Sequence, residues 1–495
     1  MLTVVSGVCD SRAQCTATTG LPIKVATGPL GGTLTVVQCL NSGDPIIVNV
    51  SGLSGSRVIH VYDSTGSPPS LSVGAITILG QSATLTAVAV LIAGTSQGWT
   101  DDSAVSLQTG ATSFGGLTVE ESDTRSKTRV SASVSGSITG SITANQIVRI
   151  QTDNSVDDDL IATGAGPFVG TTTRAIGQVR AGHAIRGDIR AEQGDIFAIR
   201  VLNTSPLPDA EGLSGNVYAE GNIATIYSTG RIGPINTNAI KILAGGRIEQ
   251  VRTSADSISA DPLDKDIIAD IGTGVDAMGN ELDTSLMALT GNSKLDSPLC
   301  LLQTAGDFEG NLNLANLAVT PTWPSSAPAG VLVGGRLVGN INIRFNLDHS
   351  KIIAQNMAEA FFNIGLRMTG AIVEFRRDQG DRTLDFNGPT FTIGYGTPPT
   401  EYTNEIRGTT GSNCPPVDMT ETDWWFETPD CDGRTFDSLI RFSSTKGIDI
   451  RRMTLEITPN THKAYFPRIE FIAAREMRIG TDPPEADASM EAGVV

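Results

Sequence analysis

One seven-residue pattern recurs along this chain and limits what it can fold into: apolar, any, Gly, small polar, apolar, any, apolar or Ala. It appears as Ile138–Ala144 (ITGSITA), Ile185–Ala191 (IRGDIRA) and Leu213–Ala219 (LSGNVYA), then as Phe308–Leu314 (FEGNLNL) and Leu337–Ile343 (LVGNINI). Each copy alternates with period two, which puts its apolar residues and the glycine on one face and most of the polar residues on the other. That is the pattern of a half-buried strand. Spacing adds a second constraint, because the interval from Gly187 to Gly215 nearly equals that from Gly310 to Gly339. A related glycine, Gly246, lies one such interval after Gly215, and the stretch from Gly246 to Gly310 leaves room for two unmarked coils.

A strand-based repeat with a period of about 30 residues points to a solenoid, with about three strands per coil. Coils would stack roughly 4.8 Å apart through parallel hydrogen bonds, with Ile, Leu and Val inward. The glycine leaves room where the coil bends. The residue after it is Ser141, Asp188, Asn216, Asn311 or Asn340, and these should form an outward polar ladder. The shorter units at Gly194, Gly221 and Gly230 would begin other sides of the same coils. A β-sandwich or a string of small β-domains also alternates, but neither requires one Gly-polar-apolar unit in one phase.

In repeat style, the segment from about Ser131 to Ile479 resembles the right-handed parallel β-helix, or pectin-lyase-like, superfamily. The likeness is one of architecture and carries no catalytic signature. It implies an all-β parallel solenoid. It leaves function open among polysaccharide lyases, glycoside hydrolases, phage tailspikes, adhesins and passive surface proteins. The expected organisation is a β-rich cap or irregular early coils over 1–130, a solenoid core over 131–400, C-terminal coils over 401–480 and a flexible tail over 481–495. The Asp- and Gly-rich stretch 255–305 is expected to form long corner loops, and Lys351–Leu366 (KIIAQNMAEAFFNIGL) a short helix.

Composition agrees with many strands and tight turns. Charged residues are 18% and glycines number 54, against roughly 25% charged and 7% Gly in ordinary domains. Net charge is 35 − 53 = −18, which disfavours nucleic acid and anionic lipid as partners. No apolar run reaches the roughly 18 residues of a membrane span. The first residues, MLTVVSGVCDSR, lack the charged start and long apolar core of a signal peptide. On that reading either the chain is not exported or a leader has been removed from it.

Few residues announce chemistry. Cys9 with Cys15 and Cys414 with Cys431 are spaced for local disulfides in an oxidising compartment. No CxxC occurs, which argues against structural zinc. The run Asp157, Asp158, Asp159 offers oxygen ligands, so calcium is a candidate there; an acidic turn is the plainer reading. Asp153, Asp157 and Gly182-His183 follow the order of polygalacturonase residues but not their spacing. The segment Cys414–Cys431 holds Trp424 and Trp425 among Asp423 and Glu427. Those four could meet a polysaccharide or another partner, or pack down as a lid. No nucleophile triad, phosphate loop or dinucleotide motif can be nominated. The expected function is therefore a non-enzymatic structural or adhesive solenoid, extracellular, at a cell surface or on a virion, and able to self-associate. A polysaccharide lyase or hydrolase on the same scaffold, and a virion fibre, are the alternatives. Because the chain is acidic, divalent cations or salt are expected to favour its self-association by screening.

Overall fold

The computed structural model describes residues 113–121, 129–164, 166–167, 173–203, 212–234, 239–253, 266–282, 298–318, 329–344, 346–348, 350–354, 356–364, 367–369 and 371–377. Outside these it describes the strands between 21 and 109 and between 384 and 479. Every regular element among the described residues is a strand. The chain forms two compact units, Met1–Gly230 and Arg231–Val495, and each is an all-β stack of predominantly parallel strands.

In the first unit a coil has three parts. A single residue bridges to its equivalents in neighbouring coils, through Ile138, Val156, Ile185 and Leu213 in turn. A three-residue strand follows: Ile142–Ala144, Leu160–Ala162, Ile189–Ala191 and Val217–Ala219, paired in parallel. A longer strand then completes the coil: Gln146–Thr152, Thr173–Ala181, Asp195–Val201 and Ile223–Ser228, again in parallel. The registers line up inward residues as columns. Ile147, Ile176, Ile196 and Ile223 form one, Ile150, Val179, Ile199 and Ile226 a second, and Ala144, Ala162, Ala191 and Ala219 a third. All are buried. Branched side chains suit these columns because they are stiff and pack against their own kind on a pleated surface. Each fully buried Ile is worth about 1.5–3 kcal/mol relative to exposure.

The coil itself is shorter than the glycine spacing suggested. The coil from Ile138 to Val156 needs no insertion, and the next two, to Ile185 and to Leu213, are each more than half as long again. The surplus sits between Ala162 and Thr173 in one coil and between Val201 and Leu213 in the other. Two insertions at different corners thus produce nearly the same period. The short coil also shows that Val156–Ala162 (VDDDLIA) is a copy of the repeat in which Asp158 stands in the glycine slot.

Toward the N-terminus, parallel pairing extends to Ser56–Asp63, Ala87–Ile92 and Val105–Thr109 in one sheet, and to Ile46–Asn49, Ile76–Gln81 and Leu117–Glu121 in the other. Leu21–Gly28 runs antiparallel to both Leu34–Leu40 and Ser56–Asp63. An antiparallel strand laid on a parallel edge occupies hydrogen-bonding groups that would otherwise face water.

The second unit repeats the scheme with larger side chains. Ile267–Thr273, the pair Phe308–Glu309 and Leu312–Leu314, Arg336–Ile343 and Asn356–Ile364 stack in one parallel sheet. Pro298–Thr304, Gly330–Val333, Lys351–Ala354, Ile372–Arg377 and Leu439–Ser444 stack in the other. Phe375 lies 5.7 Å between ring centroids from both Phe362, edge-on, and Phe442, stacked.

Three sequence expectations are corrected here. Lys351–Leu366 is not a helix: it contains the strands Lys351–Ala354 and Asn356–Ile364. Its Ala and Met content suits a helix, but pairing on both sides and burial of Ile352, Phe362 and Ile364 override that propensity. The 255–305 stretch is not wholly corner loop, since it includes the strands Ile267–Thr273 and Pro298–Thr304. Gly246 does not continue the Gly215 series either. It precedes the longer strand Ile248–Thr253, as Gly194 and Gly221 precede theirs, so it marks another side of the coil.

The repeat glycines are required by stacking. A Cβ on Gly187 would run into the Asp158 backbone, one on Gly215 into the Gly187 carbonyl, and one on Gly339 into the Gly310 carbonyl. Gly310 and Gly339 also have φ of 143° and 125°, a region costly for residues with a side chain.

Candidate functional site

At the corner after Gly187, Gly215, Gly310 and Gly339, the backbone N–H of one coil points along the stack at the side chain of the coil before. The Asp188 N–H donates to Asp159 Oδ1 at 2.9 Å, and the Asn216 N–H to Asp188 Oδ1 at 2.8 Å. Asn216 Nδ2 donates to the same oxygen at 3.1 Å. The corner carbonyls are already engaged, because Leu160 N–H donates to Asp188 O and Ile189 N–H to Asn216 O, both at 2.8 Å. A short side chain with an oxygen three bonds from Cα is what can reach the remaining N–H, and Asp and Asn have it. The expected polar ladder is therefore present from Asp159 onward, whereas Ser141, expected in it, donates its Oγ to Asp158 Oδ1 instead. The second unit builds it from Asp270, Asn311 and Asn340, with a parallel amide row of Asn313, Asn342 and Asn363. The same device recurs before the longer strand, where Asn222 N–H and Nδ2 donate to Asp195 Oδ1.

The acidic triple has three different environments. Asp157 pairs with Arg186 at 2.6 Å, Asp158 Oδ1 accepts from Ser141 Oγ at 3.0 Å, and Asp159 is a ladder rung. Among the described residues no group of three or more His, Cys, Asp or Glu side chains is arranged to hold a metal ion. Gly182 and His183 do come one coil from Asp153 and Asn154: their N–H groups donate to Thr152 O and Asn154 O at 3.0 Å. His183 Nδ1 is buried with no hydrogen-bond partner.

The second unit has a charged corner that the sequence reading missed. Asp266, buried, accepts from the Asp307 N–H at 2.7 Å. Asp307 in turn accepts from the Arg336 N–H at 2.6 Å and from its Nε at 2.8 Å. Burial, helped by the charges of Asp307 and Glu309, pushes the Asp266 carboxyl up to about 6; the Asp307 N–H and Arg231 pull the other way. Hydrogen bonding and charge from Asp307 hold Arg336 more firmly protonated than usual. At the other end of the Ile267–Thr273 strand, Arg344 Nη2 donates to the carbonyls of Thr273 and Gly274, and burial lowers its pKa against the opposing pull of Glu281. A strand inside an Asp-rich stretch lacking the glycine marker gave no warning of this corner.

The longer-strand face of the first unit carries a feature of opposite sign. Register places Gln151, Arg180, Arg200 and Tyr227 in one outward row. Arg149 Nη2 donates to Gln151 Oε1 at 2.5 Å, and the Arg174 guanidinium lies 3.9 Å from the ring centroid of Phe197, which is 45% exposed. Its signal in sequence is an apolar-Arg-apolar triplet near each strand end: Val148-Arg149-Ile150, Val179-Arg180-Ala181 and Ile199-Arg200-Val201.

Trp424, Trp425, Asp423 and Glu427, and the cysteines Cys9, Cys15, Cys414 and Cys431, lie outside the described residues. Cys300 is a buried thiol that is not in a disulfide. No helix among the described residues is long and apolar enough to cross a membrane. Comparison with known protein families, with curated proteins and with solved structures found no match.

Proposed function

We propose that this chain is a non-enzymatic structural or adhesive solenoid of the right-handed, pectin-lyase-like kind, acting at a cell surface, in an extracellular assembly or on a particle, and associating with itself. The observation that carries this reading is the engagement of the repeat's polar side chains in joining coil to coil. Asp159, Asp188, Asp270 and Asn311 each accept the backbone N–H of the next coil. Residues that could act on a ligand are working as scaffold, and the scaffold presents the same surface at every coil, so a weak lateral contact is multiplied.

One observation favours the second reading, an enzyme acting on polysaccharides. A carboxyl whose pKa sits near 6 beside other carboxylates, as at Asp266, is what a general acid needs. Incubation with neutral and acidic polysaccharides, with and without calcium, separates the two. The structural reading expects no new reducing ends and no unsaturated products. Reproducible cleavage that disappears in Asp266→Asn or Asp157→Asn overturns it.

A further inference from the structure

The chain carries 53 acidic and 35 basic residues, yet one face of the first unit reverses the sign. On the longer strands Gln146–Thr152, Thr173–Ala181 and Asp195–Val201 stand Arg149, Arg174, Arg180 and Arg200 against one acid, Asp195, which gives 4 − 1 = +3. Arg180 and Arg200 are direct register partners on adjacent strands. Like charges placed opposite each other in a sheet are unfavourable, and an intramolecular acid would relieve them. Neither has one among the described residues: both side chains are exposed, without a hydrogen bond or ion pair.

The glycine corner of the same unit has the complementary charge. Over 153–159 and 182–188, from the end of the longer strand through the bridge residue to the glycine corner, stand Asp153, Asp157, Asp158, Asp159 and Asp188 with Arg186, which gives 5 − 1 = 4 net negative charges. The ladder uses only part of each carboxylate's capacity, since an ionised carboxylate has about four acceptor sites. Both rows repeat at the coil rise of roughly 4.8 Å, so they match in period as well as in sign. We propose that the first unit binds a second copy of this chain, the arginine face of one copy seated on the aspartate corner of the next. This deepens the proposed self-association by naming its surfaces. Two arginine faces repel, so the contact cannot be the same patch on both copies. Formed once per pair of copies it is heterologous and, unless the rotation closes a ring, grows into a filament; formed twice about a two-fold axis it closes as a dimer.

Charge exchange in the full chain tests this. One variant carries Arg180→Glu and Arg200→Glu, the other Asp153→Lys and Asp157→Lys. Sedimentation velocity and light scattering follow assembly from low salt to about 1 M, where the screening length falls to roughly 3 Å. Circular dichroism and melting confirm that each variant keeps the parent fold. The parent should assemble at low salt and come apart at high salt, opposite to the screening expectation for a uniformly acidic chain. Each variant alone should assemble at least about tenfold more weakly, as expected for loss of close charge pairs across an interface. An equimolar mixture should recover, because each reversed surface then meets its complement. Assembly that survives arginine reversal, or a mixture that does not recover, overturns the contact while leaving self-association standing. A parent that stays monomeric at every salt concentration overturns both. Heparin captured by a monomeric parent, but not by the arginine variant, would instead assign the face to an acidic glycan and overturn the second-copy proposal.

Discussion

Behind the short strands of the first unit lies a column of Ala144, Ala162, Ala191 and Ala219; at the matching place in the second unit stand Leu314, Ile343 and Ile364. All are buried. The difference continues across the interior, where the first unit packs Ile and Val and the second adds the contacting rings of Phe362, Phe375 and Phe442. Yet the rung is the same in both: parallel strands, a corner glycine, and an Asp or Asn oxygen accepting the N–H of the next coil. Hydrogen bonding along the stack thus sets the repeat, while side-chain volume fills whatever interior the corners enclose. The corners differ in charge as well. Asp159 and Asp188 accept in the first unit, Asp270 and the uncharged Asn311 in the second, so the ladder needs an oxygen and not a charge.

The largest test of this comparison replaces a column residue. Ile189→Asp should cost about 4 kcal/mol or more, because an unpaired carboxylate would enter an apolar stack. Phe375→Ala in the second unit should cost about 3–5 kcal/mol through lost burial and a cavity. Chemical denaturation measures both, and an Ile189→Asp chain with the parent midpoint would refute the inward assignment of that face.

A smaller difference is expected between the corner glycines. Gly187→Ala meets the neighbouring backbone only, whereas Gly339→Ala meets it and must also hold a φ of 125°. The second should be worse by about 1–2 kcal/mol. Equal losses would mean that crowding alone accounts for both glycines.

The smallest effect is one of pH. The Asp266 carboxyl is raised from 3.8 to about 6, so between those values the folded state binds more protons than the unfolded state. Stability from this group is therefore present at low pH and lost as pH rises through about 6, by about 1–2 kcal/mol. Asp266→Asn keeps an oxygen for the Asp307 N–H and removes the titration. It should be more stable than the parent at pH 7 and lack this part of the pH slope. A parent whose stability, corrected by the Asn variant, rises from pH 4 to 7 would contradict the assignment.

Much of this architecture was legible in sequence because glycine, a small polar residue and branched apolar residues each answer a local demand. Gly187 is there because a neighbouring backbone leaves no room for Cβ, Asp188 because the Asn216 N–H needs an oxygen, and Ile189 because the next position faces inward. Those demands recur once per coil, so they print a repeat into the chain. Where another residue met the same demand, the marker vanished. Val156–Ala162 carries Asp158 in place of glycine, and Ile267–Thr273 carries Ala269, so both copies were invisible until pairing aligned them.

The strand pattern, the inward columns and the polar ladder were thus determined by sequence alone, since each follows from alternation and from groups close in the chain. Only the tertiary structure decided coil length, the strand fate of Lys351–Leu366 and the outward row of Arg180 and Arg200. Those depend on which residues lie one coil away, and insertions of different length at different corners change that partner without changing any local pattern. Register across a parallel stack is a long-range quantity, and the charge row exists only once that register is set.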